Sequence, residues 1–201
     1  MKLLRALLWI VVILALVAGG LILLTDSEVT VTRTEEIDTP SEFVFAQVND
    51  LKNWPSWMPW SANDETMKFE YPAQTAGVGG SYSWTSENSG NGTMKIVEST
   101  SNKSIGTSIN FEGMGESKGA WTFDEKDGKT EVSWSMTSDA GYNPIGRFFN
   151  LMMDGMVGPD FEQGLEALKK VAAEKYAQYQ AAEKKRMEEE AAKEEMAEED
   201  A

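Results

Sequence analysis

The chain has 201 residues, a formal net charge of −15, a pI of about 4.4, and neither cysteine nor histidine. The two absences exclude disulfides, thiolate nucleophiles, Cys/His metal clusters and any catalysis that relays a proton through imidazole. The acidity makes nucleic acid a poor partner, because binding to phosphates runs on Lys and Arg, and it argues against tight docking on anionic headgroups.

Ala6 to Leu24 carries no charge over nineteen residues. As a helix it is about 28 Å long, close to the hydrocarbon thickness of a bilayer. Lys2 and Arg5 precede it; Asp26 and Glu28 follow it. A cationic flank stays cytoplasmic, so the expectation is a single-pass transmembrane anchor over residues 1–25. The rest of the chain then lies on the non-cytoplasmic side, periplasmic if the source is bacterial. The rival reading is a cleaved signal peptide, whose small-residue site Leu16-Val17-Ala18-Gly19-Gly20 matches weakly.

Residues 26–175 read as one domain. Glu28 to Ile37 alternates, with Val29, Val31 and Ile37 on one face and Thr30, Thr32, Thr34 and Glu36 on the other: a half-buried strand. Asp38-Thr39-Pro40-Ser41-Glu42 predicts a helix start, with a cap at Asp38 or Thr39 and Pro40 at a first helical position. Pro55 and Pro59 forbid one continuous helix over Asn49–Trp60, so this stretch reads as a short helix or turn laying Trp54, Trp57 and Trp60 on the domain. After Met67–Tyr71 come strands at 80–86, 92–99, 105–111, 118–125 and 131–138. Turn residues join them, Asp127-Gly128 being a hairpin signal. Alternation points inward Tyr82, Trp84, Met94, Ile96, Ile105, Ile109, Phe111, Trp121, Phe123, Val132, Trp134 and Met136.

Gly141 to Val171 is the densest apolar stretch outside the N-terminus. It settles into helical period at Phe161, Leu165, Leu168 and Ala172, with Glu162, Glu166, Lys169 and Lys170 off that stripe. A strand-rich region followed by one amphipathic helix is an α+β pattern, because the sheet needs its apolar face covered. The expected architecture is a curved antiparallel sheet of about seven strands wrapped round this helix. Residues 176–201 hold mixed charges without an apolar stripe and read as a solvated helical tail. A protein partner for that helix is the functional alternative.

The order strand, two short helices, meander, long C-terminal helix resembles the helix-grip (START/Bet v 1-like) fold of the START-like, or SRPBCC, superfamily. Within it, the chain looks most like the polyketide cyclase/dehydrase-like group. The segments that carry the likeness are Thr39–Phe45, Leu51–Trp57 with Pro59-Trp60, Gly79–Tyr82, Gly119–Phe123, Thr130–Trp134 and Asp160–Lys169, over roughly Val29 to Glu174. The resemblance implies a cavity between sheet and long helix that takes apolar or amphipathic small molecules or lipid. It does not carry catalysis over. Cyclases of the superfamily use polar pocket residues, often His or Arg, and the domain offers only Arg33 and Arg147.

The expected cavity lining is Trp84, Phe111, Trp121, Phe123, Trp134, Met136, Phe149, Met152, Met153 and Met156. A filled core is the alternative for the same side chains. Gly141, Gly146, Gly155 and Gly158 break 141–159 into short pieces, either a gate or an ordinary helix-loop-helix. The three Trp of 54–60 staple the short helices to the sheet, or else stack on a ring or sugar. Asp160 reads as a first-turn residue, and Asn63-Asp64-Glu65 as a turn rather than a calcium loop. No metal, cofactor or catalytic residue is assigned. The favoured function is a membrane-anchored binding module for a hydrophobic small molecule or lipid. A cyclase or hydratase on a hydrophobic substrate and a non-catalytic scaffold are the competing classes.

Overall fold

Alternating apolar residues build a single antiparallel sheet in the order β1-β7-β6-β5-β4-β3-β2. The strands are β1 (Glu28–Ile37), β2 (Lys68–Glu70), β3 (Ser81–Thr85), β4 (Gly92–Thr100), β5 (Ser104–Phe111), β6 (Gly115–Lys126) and β7 (Lys129–Asp139). A computed structural model describes the backbone of residues 2–113 and 115–199; the side chains of residues 2–4, 6, 15, 21, 194 and 197–199 are outside that description. Each strand after β1 pairs with the next, and β1 closes onto β7 with Glu28 opposite Asp139 and Ile37 opposite Thr130. A register shift between Ile96 and Glu98 bends β4, which helps the sheet curve. The β6–β7 hairpin turns through Asp127 and Gly128, both at positive φ (55° and 76°), as a two-residue primed turn requires.

Every residue that alternation points inward is buried except Phe111, which is half-buried. The helices are α1 (Lys2–Ile22), α2 (Ser41–Asn49), α3 (Pro59–Asn63) and α4 (Pro144–Glu199), with a 3-10 turn at Trp54–Ser56. Phe161, Leu165, Leu168 and Ala172 of α4 are all buried, under the sheet and against α2. An aromatic column passes through the centre. Trp121 stacks on Trp134 at 4.4 Å, and Trp134 on Phe161 at 3.8 Å, with Trp54 and Trp57 edge-on. The helix-grip architecture is thus present.

Three local expectations are corrected. Pro40 is the N-cap residue of α2, not its first helical residue, and makes no side-chain cap. The cap comes from another strand: the Ser41 amide and hydroxyl donate to Glu125 Oε2 of β6 at 2.8 and 2.6 Å. Next, residues 144–199 form one helix rather than short pieces, and it runs through Pro159. Proline deletes the amide donor to the Gly155 carbonyl, but Arg33 of β1 splints the turn by donating to Asp154 at 2.8 Å and Glu162 at 2.7 Å. Asp154, Gly158 and Glu162 lie four apart on one helix face, and the guanidinium lies where a Cβ at 158 would stand. Lastly, Glu162 and Lys169, which fall off the apolar stripe, do not simply face solvent. Lys169 Nζ sits 2.5 Å from Glu35 of β1, so polar Arg33 and Glu35 occupy the inward face of β1 and tie it to α4. These ties raise the Arg33 pKa, through its hydrogen bonds to Asp154 and Glu162, and lower that of Asp154, through its hydrogen bond from Arg33.

Among the described residues, no helix is long and apolar enough to cross a membrane. The expected span over 6–24 falls partly on side chains outside the description (6, 15 and 21), so the structure does not supply the transmembrane assignment. What it does supply is one helix of 21 residues, α1, whose apolar side chains from Leu7 to Leu14 are between 37% and 65% exposed.

Candidate functional site

Between the β2–β5 half of the sheet, α3 and the turn of α4 that carries Val157 lies a cavity of about 200 Å³. Tyr82 and Trp84 (β3), Met94 (β4), Ile109 and Phe111 (β5) and Met136 (β7) form its sheet wall; Met58, Trp60 and Val157 form the opposite side. Met67, Phe69 and Ser89 complete it. The cavity exists because the aromatic column that fills the β6–β7 side stops short of this side of the sheet. Its rim is marked by exposed Ser89 and half-buried Met67, Phe69, Phe111 and Val157.

The lining is chemically spare. No charged side chain is among the lining residues described, and the polar groups are the Ser89 hydroxyl, the Tyr82 phenol and indole N–H groups. Burial pushes the Tyr82 phenol well above its ordinary range, so it stays protonated and can act only as a neutral hydroxyl. The Trp60 indole is committed: its Nε1 donates to Asp160 Oδ2 at 2.6 Å. Asp160 is therefore a mid-helix anchor for α3, not the first-turn residue expected. Behind Ser89 sits buried Asp64. Its carboxylate accepts from Ser86, from the amide and hydroxyl of Thr66, from Asn88 and from Ser89. Those hydrogen bonds, Ser86 first, hold its pKa far below the ordinary carboxylate range. This network fixes the β3–β4 loop at the rim; it offers a ligand no free carboxylate oxygen chemistry. Among the described residues no group of three or more acidic or other ligating side chains is disposed to hold a metal ion.

Of the residues expected to line a cavity, Trp84, Phe111 and Met136 stand on its wall. Trp121, Phe123 and Trp134 are in the packed aromatic core. Met153 is half-buried against that core, whereas Phe149, Met152 and Met156 point outward from α4, 54%, 48% and 56% exposed. The reason is helical geometry: these three lie on the side of α4 opposite Phe161 and Leu165. Sequence reasoning had placed Tyr82, Met94 and Ile109 on the inward face but not at a cavity. Met58, Trp60, Met67, Phe69 and Val157 are not among the expected lining; their only signal is apolar character, in α3 and its flanks, in β2 and in α4.

The fold is shared with solved structures at low identity. The protein of unknown function SA2116 from Staphylococcus aureus superposes with a TM-score of 0.56 at 13% identity, covering 74% of this chain and 95% of that one. TTHA0849 from Thermus thermophilus gives 0.54 at 15% identity, covering 72% and 97%. Ara h 8.0201 gives 0.50 at 16% identity, covering 75% and 99%. No curated protein matches the chain. Residues 28–173 match the family described as "Polyketide cyclase / dehydrase and lipid transport", and the chain belongs to that family.

Proposed function

We propose that this protein is a membrane-anchored binding module that holds the apolar part of a small molecule, or one lipid tail, in the cavity between sheet and α4. The carrying observation is the cavity itself, apolar almost throughout and without a charged side chain among its lining residues. A cavity of about 150 Å³ takes benzene, so about 200 Å³ suits a single ring or a chain of about eight carbons. A whole polyketide or phospholipid is too large, and the remainder of a longer ligand would emerge at the Ser89–Phe111–Val157 rim. The same lining gives a cyclase or hydratase no acid–base pair to work with. Anchoring is supported by α1: an apolar helix with its described side chains exposed requires an apolar cover that the other described residues do not provide. With Lys2 and Arg5 before the helix, the proposed orientation has the domain on the non-cytoplasmic side.

Native mass spectrometry of the protein, purified in mild detergent and released in the gas phase, tests the binding reading. An adduct bearing an alkyl or aromatic group, lost when Met136→Trp fills the cavity, is expected. A bare protein mass, unchanged after incubation with fatty acids and aromatic alcohols, would reject it.

A further inference from the structure

The first three turns of α4 carry their apolar residues on the wrong side for a core. Ile145, Phe148, Phe149, Met152 and Met156 fall within about 50° of one line along the helix, taking about 100° per residue, and that line is opposite Phe161, Leu165 and Leu168. They are 67%, 49%, 54%, 48% and 56% exposed. Leu151 beside them is 63% exposed. The outward face carries no charge until Glu166 and Lys170 follow, so the apolar stretch is bounded and about 18 Å long. The two charged residues within it, Arg147 and Asp154, are turned to other work.

Arg147 and Asn150, on the opposite side of the same turns, fix what α4 is tied to here. Arg147 is 8% exposed and donates to the carbonyls of Gly141, Leu23 and Thr25, while Asn150 donates to that of Ser27. The link between α1 and β1 is thereby bolted onto the first turns of α4, and α1 touches α4. The sheet register adds a second constraint. Glu28 pairs with Asp139, Ser117 with Ser138, Phe111 with Gly115, and Gly92 with both Phe111 and Trp84. The exit of α1, the β5–β6 turn and the β3–β4 loop at the cavity rim therefore share one end of the sheet.

We infer that residues 145–156 of α4 lie in the interfacial layer of the bilayer that α1 enters, and that the cavity rim faces this bilayer. The inference rests on the anchoring proposed above. The occupant of the apolar face is the lipid surface, because Arg147 and Asn150 hold the exit of α1 at the same turns of α4 that carry the face. Acidic Asp26, Glu28, Glu112 and Asp139 surround this end, so zwitterionic headgroups are favoured over anionic ones. A ligand reaching the cavity from this side comes from the membrane rather than from water.

The chain has no cysteine, which makes single-site labelling direct. Full-length protein carrying Phe148→Cys or Met152→Cys is labelled with a polarity-sensitive fluorophore and reconstituted in phosphatidylcholine vesicles with nitroxide on shallow acyl-chain positions, or on deep positions for the α1 label. Ile13→Cys reports on α1, and Lys126→Cys, at the far end of β6, is the control. The expected result is blue-shifted emission and at least twofold quenching at 148 and 152 as well as 13, none at 126, and no gain from added phosphatidylglycerol. Quenching at 13 but not at 148 or 152 overturns this inference and leaves the anchor standing. No quenching at 13 removes the anchor and this inference with it. Blue-shifted emission at 148 and 152 that lipid nitroxide leaves unquenched, and that depends on protein concentration, assigns the face to a second copy and overturns the inference.

Discussion

Leu165→Ala combined with Leu168→Ala is the perturbation that best examines the grip of the sheet on α4. Both side chains are fully enclosed, 2% and 0% exposed, with the sheet on one side and α2 on another. The walls cannot close in, because Phe161 above them is stacked on Trp134 and Trp134 on Trp121. Each truncation should therefore cost about 2–5 kcal/mol, lost transfer energy plus the cavity left behind. The two lie one turn apart, so the sum is not strictly additive, but about 4–10 kcal/mol stands against a usual total of about 5–15 kcal/mol. The variant should be unfolded or nearly so at 25 °C. Urea denaturation followed by tryptophan fluorescence measures it, since Trp54, Trp57, Trp121 and Trp134 report from the core itself. Glu162 and Lys169 are unsuitable as a control pair, being bonded to Arg33 and Glu35. Glu166→Ala with Lys170→Ala removes a solvent-exposed pair and should leave the midpoint almost unmoved. If the leucine pair shifts the midpoint no more than this control, α4 is not held by the sheet and the packing argument fails.

Gly158→Ala should gain up to about 1 kcal/mol of helix propensity in an Arg33→Ala background but less, or nothing, in the wild type, where the new methyl displaces the guanidinium. A double-mutant cycle by urea denaturation reads the coupling; equal effects in both backgrounds would show that Arg33 does not splint Pro159. Asp64→Asn should destabilise at neutral pH. Because the folded pKa lies below the ordinary value of about 3.9, the stabilisation is present above about pH 4 and is lost as pH falls toward the lowered value. The gap between wild-type and variant urea midpoints should therefore close as pH falls below about 4, and a pH-independent gap would contradict the hydrogen-bond account. Deleting residues 184–201, whose described side chains are exposed and paired with one another along the helix, should change the melting temperature by less than about 3 °C.

Much of the sheet could be read in advance because its inner face alternates cleanly: Trp121, Phe123, Val132, Trp134 and Met136 are buried where period two puts them. Tyr176 and Tyr179 likewise reach the domain, through Phe43 at 4.9 and 5.2 Å. The errors share a physical cause. Apolar density alone does not mean interior: Phe149, Met152 and Met156 sit on a helix whose phase is set further along by Phe161 and Leu165. That phase carries all three outward. Period two puts Arg33 and Glu35 on the inward face of β1 but does not reveal their partners: α4 presents Asp154, Glu162 and Lys169 to receive them. The cavity was only half legible. Which inward side chains fill space and which border it depends on where the aromatic column ends, a three-dimensional fact that period and composition do not contain.

The most direct measurement of the binding claim is a calorimetric titration of the domain freed of α1, residues 23–180, with linear primary alkanols from butanol to dodecanol. An apolar cavity of about 200 Å³ should strengthen binding about fourfold per methylene, the equivalent of about 0.8 kcal/mol. The gain should stop near eight carbons, where the chain reaches the rim, and Met136→Trp should move the break to shorter chains. No saturable binding, or an affinity that climbs without a break through dodecanol and ignores Met136→Trp, would mean that the cavity is not the site.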